Sequence, residues 1–419
     1  IRSCIENALD IAEIPDEYLN ADELLSYKMP TFDRALRGIH FPESIDEYLA
    51  SRRRLVFHEF LTYFLETQCD ETYSSRPFSH GMIEVADTGR LIEALPYRLT
   101  DAQLRTWTEI EQDMCSGICM NRMIQGDVGS GKTIIAFLAL LLNAANNHQG
   151  VMMVPTEVLA LQHYEELVEF VEKYKLPIVP KLLIGAMSAK AKRDVYEAIK
   201  TGYANVIIGT HAVIQEAVDY RDLTLAITDE QHRFGVKQRE RLAEFNDDVH
   251  ILVMSATPIP RSLAMTMFSG VQMSLINELP SNRLPIKNCV VGIEKRNAAY
   301  KWIADEVAKG HQAYVICPLV EETEGMNLEN VVDYSEKLRE ALPDGVRIDY
   351  LHGKMRSGAK TRLMDEFANH NIDVLVSTTV IEVGINVPNA TVMLVENADR
   401  FGLATLHQIR GRVGRGDAQ

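Results

Sequence analysis

The residues with the most chemistry in this chain run from Gly126 through Asp127, Val128, Gly129, Ser130, Gly131 and Lys132 to Thr133. The spacing G-x-x-x-x-G-K-T is that of a phosphate-binding P-loop. Its glycines let a backbone wrap a polyphosphate closely, with N–H groups turned toward the anion. A helix N-terminus behind the loop adds partial positive charge. Lys132 would reach the β- and γ-phosphates, and the Thr133 hydroxyl would hold Mg²⁺. Further along, Asp229, Glu230, Gln231 and His232 close an apolar run, the arrangement of a Walker B segment. Asp229 would bind Mg²⁺ as well, and Glu230 would orient or deprotonate an attacking water. Together the two groups predict binding and hydrolysis of ATP.

A P-loop works only between a strand and a helix. Residues 122–125 read as a short buried strand, and 134–142 as the apolar helix that must follow. From Leu99 onward, short apolar runs alternate with helical stretches, the pattern of a parallel sheet with crossover helices. Strands are expected at 150–155, 206–210, 223–228 and 250–255. After a break at 280–285 a second series begins, at 311–318, 346–352, 373–377 and 391–395. The chain is therefore expected to be α/β in two tandem halves, residues 97–284 with the P-loop and residues 285–419 without one.

Residues 1–96 read as mainly helical. Ser44 can cap a helix over 45–66, with Glu47 completing a capping box. Its expected apolar face holds Leu49, Leu55, Val56, Phe60, Phe64 and Leu65. Arg52, Arg53 and Arg54 make a basic cluster, which fits either a solvated or acid-paired face or a nucleic-acid contact. Residues 78–89 read as a linker. Of six cysteines, only Cys115 and Cys119 are close, four apart on one expected helix face; no ligand pair accompanies them, so they do not suggest zinc. The 419 residues carry a net charge of −16, against a protein that coats nucleic acid by bulk charge. No apolar stretch reaches the ~20 residues that span a bilayer, so no membrane partner is expected.

Further motifs follow in order: LTDAQ at 99–103, PTE at 155–157, GTH at 209–211, SAT at 255–257, HG at 352–353, TTVIEVG at 378–384 and QIRGRVGR at 408–415. This series resembles the superfamily 2 nucleic-acid motors. DEQHRFGV at 229–236, MSATPIPR at 254–261, TTVIEVGINVPNAT at 378–391 and RFGLATLHQIRGRVGRG at 400–416 are similar to the RecG family of branched-DNA translocases. The transcription-repair coupling motors share HRFGV and ATPIPR but usually have Glu where this chain has Gln231.

The resemblance implies two RecA-like domains, with ATP and Mg²⁺ as cofactors. It implies that Gln103 reads adenine, that Gly384 lies near the nucleotide and that Arg412 and Arg415 act as arginine fingers. Pro155, Thr156, Thr210, His211, Arg261, His352, Gly353, Thr378 and Thr379 would grip the nucleic-acid track. The implied activity is an ATP-dependent DNA helicase, a double-stranded DNA translocase that remodels stalled forks and Holliday junctions in repair and recombination. It would act as a monomer in the bacterial cytoplasm at the nucleoid, with single-stranded-DNA-binding protein as a further partner. Asn386 stands where the family usually has Asp. The family's wedge and C-terminal hook are not read here, so the chain is expected to be the motor portion of a longer protein. The competing expectations are a transcription-repair type motor and a nucleotide-dependent nucleic-acid-binding module with little turnover.

Overall fold

The structure is a computed structural model that describes residues 2–69, 77–229, 248–256, 271–278, 286–318, 331–353, 355–378 and 387–414. The described residues fall into two compact units divided after Tyr73.

The first unit contains α1 (Arg2–Ile11), α2 (Ala21–Tyr27), α3 (Phe32–His40) and α4 (Ile45–Cys69). α4 starts where its capping residues dictate: Glu47 N donates to Ser44 Oγ at 3.1 Å, and the Glu47 carboxylate accepts from Glu43 N at 2.8 Å. Its orientation departs from the expected one. Leu49, Val56, Phe60, Phe64 and Leu65 are exposed, whereas Ser51 and Arg54 are buried. Arg54 is 0% exposed. Its guanidinium donates to Glu17 Oε1 at 2.8 Å and to the Tyr18 hydroxyl at 2.9 Å, and lies over the Tyr18 ring at 4.8 Å. The arginine cluster is therefore split: Arg52 and Arg53 face solvent, and Arg54 is an acid-paired core residue. A buried charge must find its partner, and that demand overrides the apolar stripe.

The second unit opens with α5 (Ala86–Ala94) and α6 (Asp101–Met114). An α/β series follows: β1 (Asn121–Gly126), α7 (Lys132–Ala145), β2 (Gln149–Met153), α8 (Glu157–Tyr174), β3 (Pro180–Leu183), α9 (Ala189–Lys200), β4 (Val206–Gly209), β5 (Leu223–Asp229), β6 (His250–Ser255) and β7 (Gln272–Ile276). The strands form a parallel sheet in the order β3-β4-β2-β5-β6-β1-β7. α7 is apolar all round because it is buried all round, from Ile134 to Ala144. β3 and β7 escaped the sequence reading; they are edge strands with partly exposed residues, and so lack the continuous apolar run of central parallel strands.

A second series carries α10 (Arg296–Ala308), β8 (Gln312–Ile316), α11 (Val331–Ala341), β9 (Ile348–Leu351), α12 (Ser357–Ala368), β10 (Val374–Ser377), β11 (Ala390–Val395) and α13 (Leu403–Arg410). Its strands form a parallel sheet in the order β11-β8-β10-β9. Each expected strand of both halves is present.

Two local expectations are corrected. Residues 78–89 are not a linker: Phe78 and Met82 join Leu91 and Leu95 in the core of the first α/β half. Phe78 N donates to Gly117 O at 2.8 Å. Cys115 and Cys119 do not share a helix face, because α6 ends at Met114 and the chain turns through Gly117 at a φ of 77°.

Candidate active site

All strands of a parallel sheet present their C-terminal ends on one side, and the loops that leave those ends build the site. β1 is fixed from below by Arg122. Its guanidinium donates to Asp113 at 2.8 Å and Glu109 at 2.9 Å of α6 and to Ser274 Oγ of β7 at 2.7 Å. The loop after β1 carries Gly129 at φ 80° and Gly131 at φ 81°. Only glycine takes that left-handed backbone without strain, and it is what folds the loop back over the start of α7. Lys132 Nζ donates to the carbonyls of Gly126 at 2.7 Å and Asp127 at 3.0 Å. The glycine backbone, the ammonium and the Thr133 hydroxyl in the first turn of α7 form the donor set a nucleotide polyphosphate and its Mg²⁺ require.

Strand register sets the second element. Asp229 pairs with Met254 of β6, and Met254 with Ile124 of β1. Asp229 therefore stands level with the residue two before Gly126. Two inter-strand spacings, about 10 Å, separate their strands. His163 of α8 faces Asp229, its Nε2 3.8 Å from Oδ2, while its Nδ1 lies 3.3 Å from Glu166. Burial works to lower the His163 pKa, but the two carboxylates outweigh it and push it up to about 9. A lone histidine on a helix gave no sequence signal for this pairing.

Gln103 is held against the P-loop. Its Nε2 donates to Ser130 O at 2.8 Å, its Oε1 accepts from Thr100 N at 2.8 Å, and it is 2% exposed. Each amide end holds one of these bonds, so the residue ties α6 to the P-loop.

One residue that crosses between the halves was not singled out from the sequence. Arg410, the last residue of α13, donates from Nη2 to Asp127 Oδ2 of the P-loop at 2.7 Å. Next to it, Gly411 packs on Val128 so closely that an added Cβ would lie 2.7 Å from Val128 Cγ1. Arg412 is half-buried beside this contact. The only sequence hint was that Arg410 belongs to the QIRGRVGR motif. Glu230, Arg261, Thr379, Gly384 and Arg415 lie outside the described residues, as do Gln231 and Asn386.

The other nominated residues gather at strand C-termini in each half. Pro155 and Thr156 follow β2, and Thr156 Oγ1 accepts from Leu159 N at 3.5 Å as the N-cap of α8. Thr210 and exposed His211 follow β4. In the second half, His352 and Gly353 follow β9, and Thr378 follows β10, with Thr378 N donating to Leu351 O at 3.3 Å. The hydroxyls of Thr210 and Thr378 are buried without a hydrogen-bond partner among the described residues. They do not face solvent in this structure.

Comparison with known proteins places this geometry. The DEAD/DEAH box helicase family matches residues 100–266, and the helicase conserved C-terminal domain matches residues 294–417. The chain is 43% identical over 422 residues to the ATP-dependent DNA helicase RecG of Streptococcus pneumoniae serotype 4, covering 100% of this chain and 62% of the relative. It is 42% identical over 397 residues to the RecG helicase of Bacillus subtilis, covering 94% of this chain and 58% of the relative. A solved structure of RecG bound to a three-way DNA junction superposes with a TM-score of 0.77 at 38% identity, covering 96% of this chain and 53% of that one. The chain thus spans less than two thirds of the relatives it matches.

Proposed function

We propose that this chain, which matches RecG DNA helicases over nearly its whole length, is the motor region of such a helicase, driven by ATP on double-stranded and branched DNA. The reading extends to remodelling of stalled forks and Holliday junctions in repair and recombination. The reading includes action at the nucleoid, as a monomer and alongside single-stranded-DNA-binding protein. The observation that carries the reading is the Arg410–Asp127 contact at 2.7 Å. It sets the last motif of the second half directly over the phosphate loop of the first, the arrangement a domain-closing ATPase needs.

In this reading, the P-loop N–H groups and Lys132 bind the polyphosphate, and Gln103 braces the loop through Ser130. Mg²⁺, held by Thr133 and Asp229, would offset the charge on the phosphate oxygens. Glu230 orients the attacking water. Arg412 and Arg415 supply positive charge from the second half, an effect worth ~10³–10⁵ in rate in other nucleotide hydrolases. Gly384 would contact the nucleotide. Closure assembles the site and hydrolysis releases it. Pro155, Thr156, Thr210, His211 and Arg261 on one half, with His352, Gly353, Thr378 and Thr379 on the other, form two grips on the phosphate–sugar backbone, which carry no sequence specificity. The buried Thr210 and Thr378 hydroxyls require a local opening before they reach a strand.

Steady-state ATP hydrolysis is the test, with no nucleic acid, single-stranded RNA, single-stranded DNA, linear duplex and forked DNA, and with Glu230→Gln as the blank. Duplex or forked DNA should stimulate hydrolysis most. Best stimulation by RNA, or none by any DNA, overturns the reading.

A further inference from the structure

The geometry points to a transition-metal site, best suited to Zn²⁺, formed by His80, His148 and Asp222 in the first α/β half. The donor atoms of the three side chains lie within 4.8 Å of one another. Asp222 presents one oxygen to each imidazole: Oδ1 stands 3.4 Å from His80 Nδ1 and Oδ2 stands 2.6 Å from His148 Nδ1. The two rings meet edge to face with centroids 5.3 Å apart. Tetrahedral zinc with ligand bonds of about 2.0–2.1 Å needs donors about 3.3 Å apart. Binding would lengthen the 2.6 Å His148–Asp222 contact and draw in donors that now lie up to 4.8 Å apart. Two neutral imidazoles and one carboxylate, with water in the fourth position, make a ligand set zinc accepts.

The ligands come from three separate segments, each fixed by its own hydrogen bonds. His80 lies on the stretch tied to the first half by Phe78 N to Gly117 O, and by Asn146, which both accepts from Ile83 N at 3.1 Å and donates to Ile83 O at 3.0 Å. His148 sits in the turn before β2, its N donating to Asn143 O. Asp222 precedes β5, and its backbone is locked by Gln149, whose side chain accepts from Asp222 N at 3.0 Å and donates to Ile199 O and Ala204 O. Such outer contacts preorient metal ligands. The side chains of His80, His148 and Asp222 are 28%, 12% and 29% exposed, so an ion and its water can enter.

Two further titratable groups, His250 and Asp248, are held by contacts of their own. His250 is buried, and its Nδ1 accepts from Met120 N at 2.8 Å. Asp248 is engaged by Ser79 through both its backbone N–H and its hydroxyl. His148 and Asp222 precede the N-terminal ends of β2 and β5, whereas the P-loop leaves a C-terminal end. A strand's length, about 20 Å, separates the cluster from the nucleotide chemistry. Metal here pins residues 77–84 to the sheet and stabilises the half without entering hydrolysis.

The chain is stripped with chelator and titrated with Zn²⁺ without nucleotide, Co²⁺ serving as the coloured stand-in. The expected result is one equivalent bound per chain with proton release, a visible spectrum of four-coordinate Co²⁺, and a raised melting midpoint. His148→Ala and Asp222→Asn should each weaken binding tenfold or more, and Lys132→Ala should leave it unchanged. His80→Ala, on the peripheral segment, serves if His148→Ala does not fold. No stoichiometric uptake at micromolar Zn²⁺, or uptake that His80→Ala and Asp222→Asn both leave unchanged, overturns the site and leaves a hydrogen-bonded histidine–aspartate staple.

Discussion

The Arg410–Asp127 pair bears on catalysis more than on stability. Both side chains are about one third exposed, and ion pairs that open to water contribute about 0–1 kcal/mol. Arg410→Gln is therefore expected to leave the melting temperature nearly unchanged. It should raise the KM for ATP several-fold, because it frees a carboxylate beside the phosphate loop. Asp127→Asn should raise KM by its own factor, and the double variant should be no worse than the poorer single one. Additive losses in steady-state hydrolysis would show that the two side chains act separately. Asp373 makes a different kind of contact. Burial works to raise its pKa, but hydrogen bonds from the Arg347 side chain and backbone, at 2.6–3.0 Å, pull it below the ordinary carboxylate value. A depressed carboxylate adds stability above its unfolded pKa and loses it as pH falls through the folded one. Asp373→Asn should thus be less stable than the parent at neutral pH, with the deficit shrinking as pH drops below about 4. Urea melts at several pH values would show it; a deficit independent of pH would exclude the linkage.

At the scale of elements, α4 is the instructive case. Its start follows from Ser44, which accepts from Glu47 N, while the Glu47 carboxylate accepts from Glu43 N, one residue before the Ser44 N–H that the expected capping box uses. Its buried face is set by one charge, Arg54, held by Glu17 and Tyr18. Removing one partner of a buried pair strands the other, at a cost of about 3 kcal/mol, the lower end of the usual range because Glu17 keeps some access to water. Arg54→Met should lose that much in denaturant unfolding of the helical unit. Arg53→Ala, one residue earlier on the exposed side of the helix, should stay within about 0.5 kcal/mol of the parent. Equal effects of the two would mean that Arg54 has no special part in the core.

For the whole molecule, the decisive contact is between the halves. Gly411 has an ordinary helical φ of −66°, so alanine there strains no backbone; its added Cβ would instead strike Val128 of the P-loop. Gly411→Ala should fold normally and push the QIRGRVGR motif away from the phosphate loop. A displacement of about 1 Å can cost ~10²-fold in rate, and a loss of that order in kcat is expected. Val128→Ala in the same chain should restore part of it; a double variant as poor as Gly411→Ala would count against the packing account. The sequence by itself determined the two α/β series, the P-loop between β1 and α7, the strand that ends at Asp229, and the likeness to the RecG motors. Those features are local, written in apolar period, glycine placement and contiguous motifs. Only the tertiary structure decided that Arg410 meets Asp127, that Gln103 braces the P-loop, that His163 faces Asp229 and that Arg54 is a core residue. The same holds for His80, His148 and Asp222, which share one corner of the fold. Each of these depends on residues distant in the chain meeting through strand order and helix rotation, which local pattern does not encode.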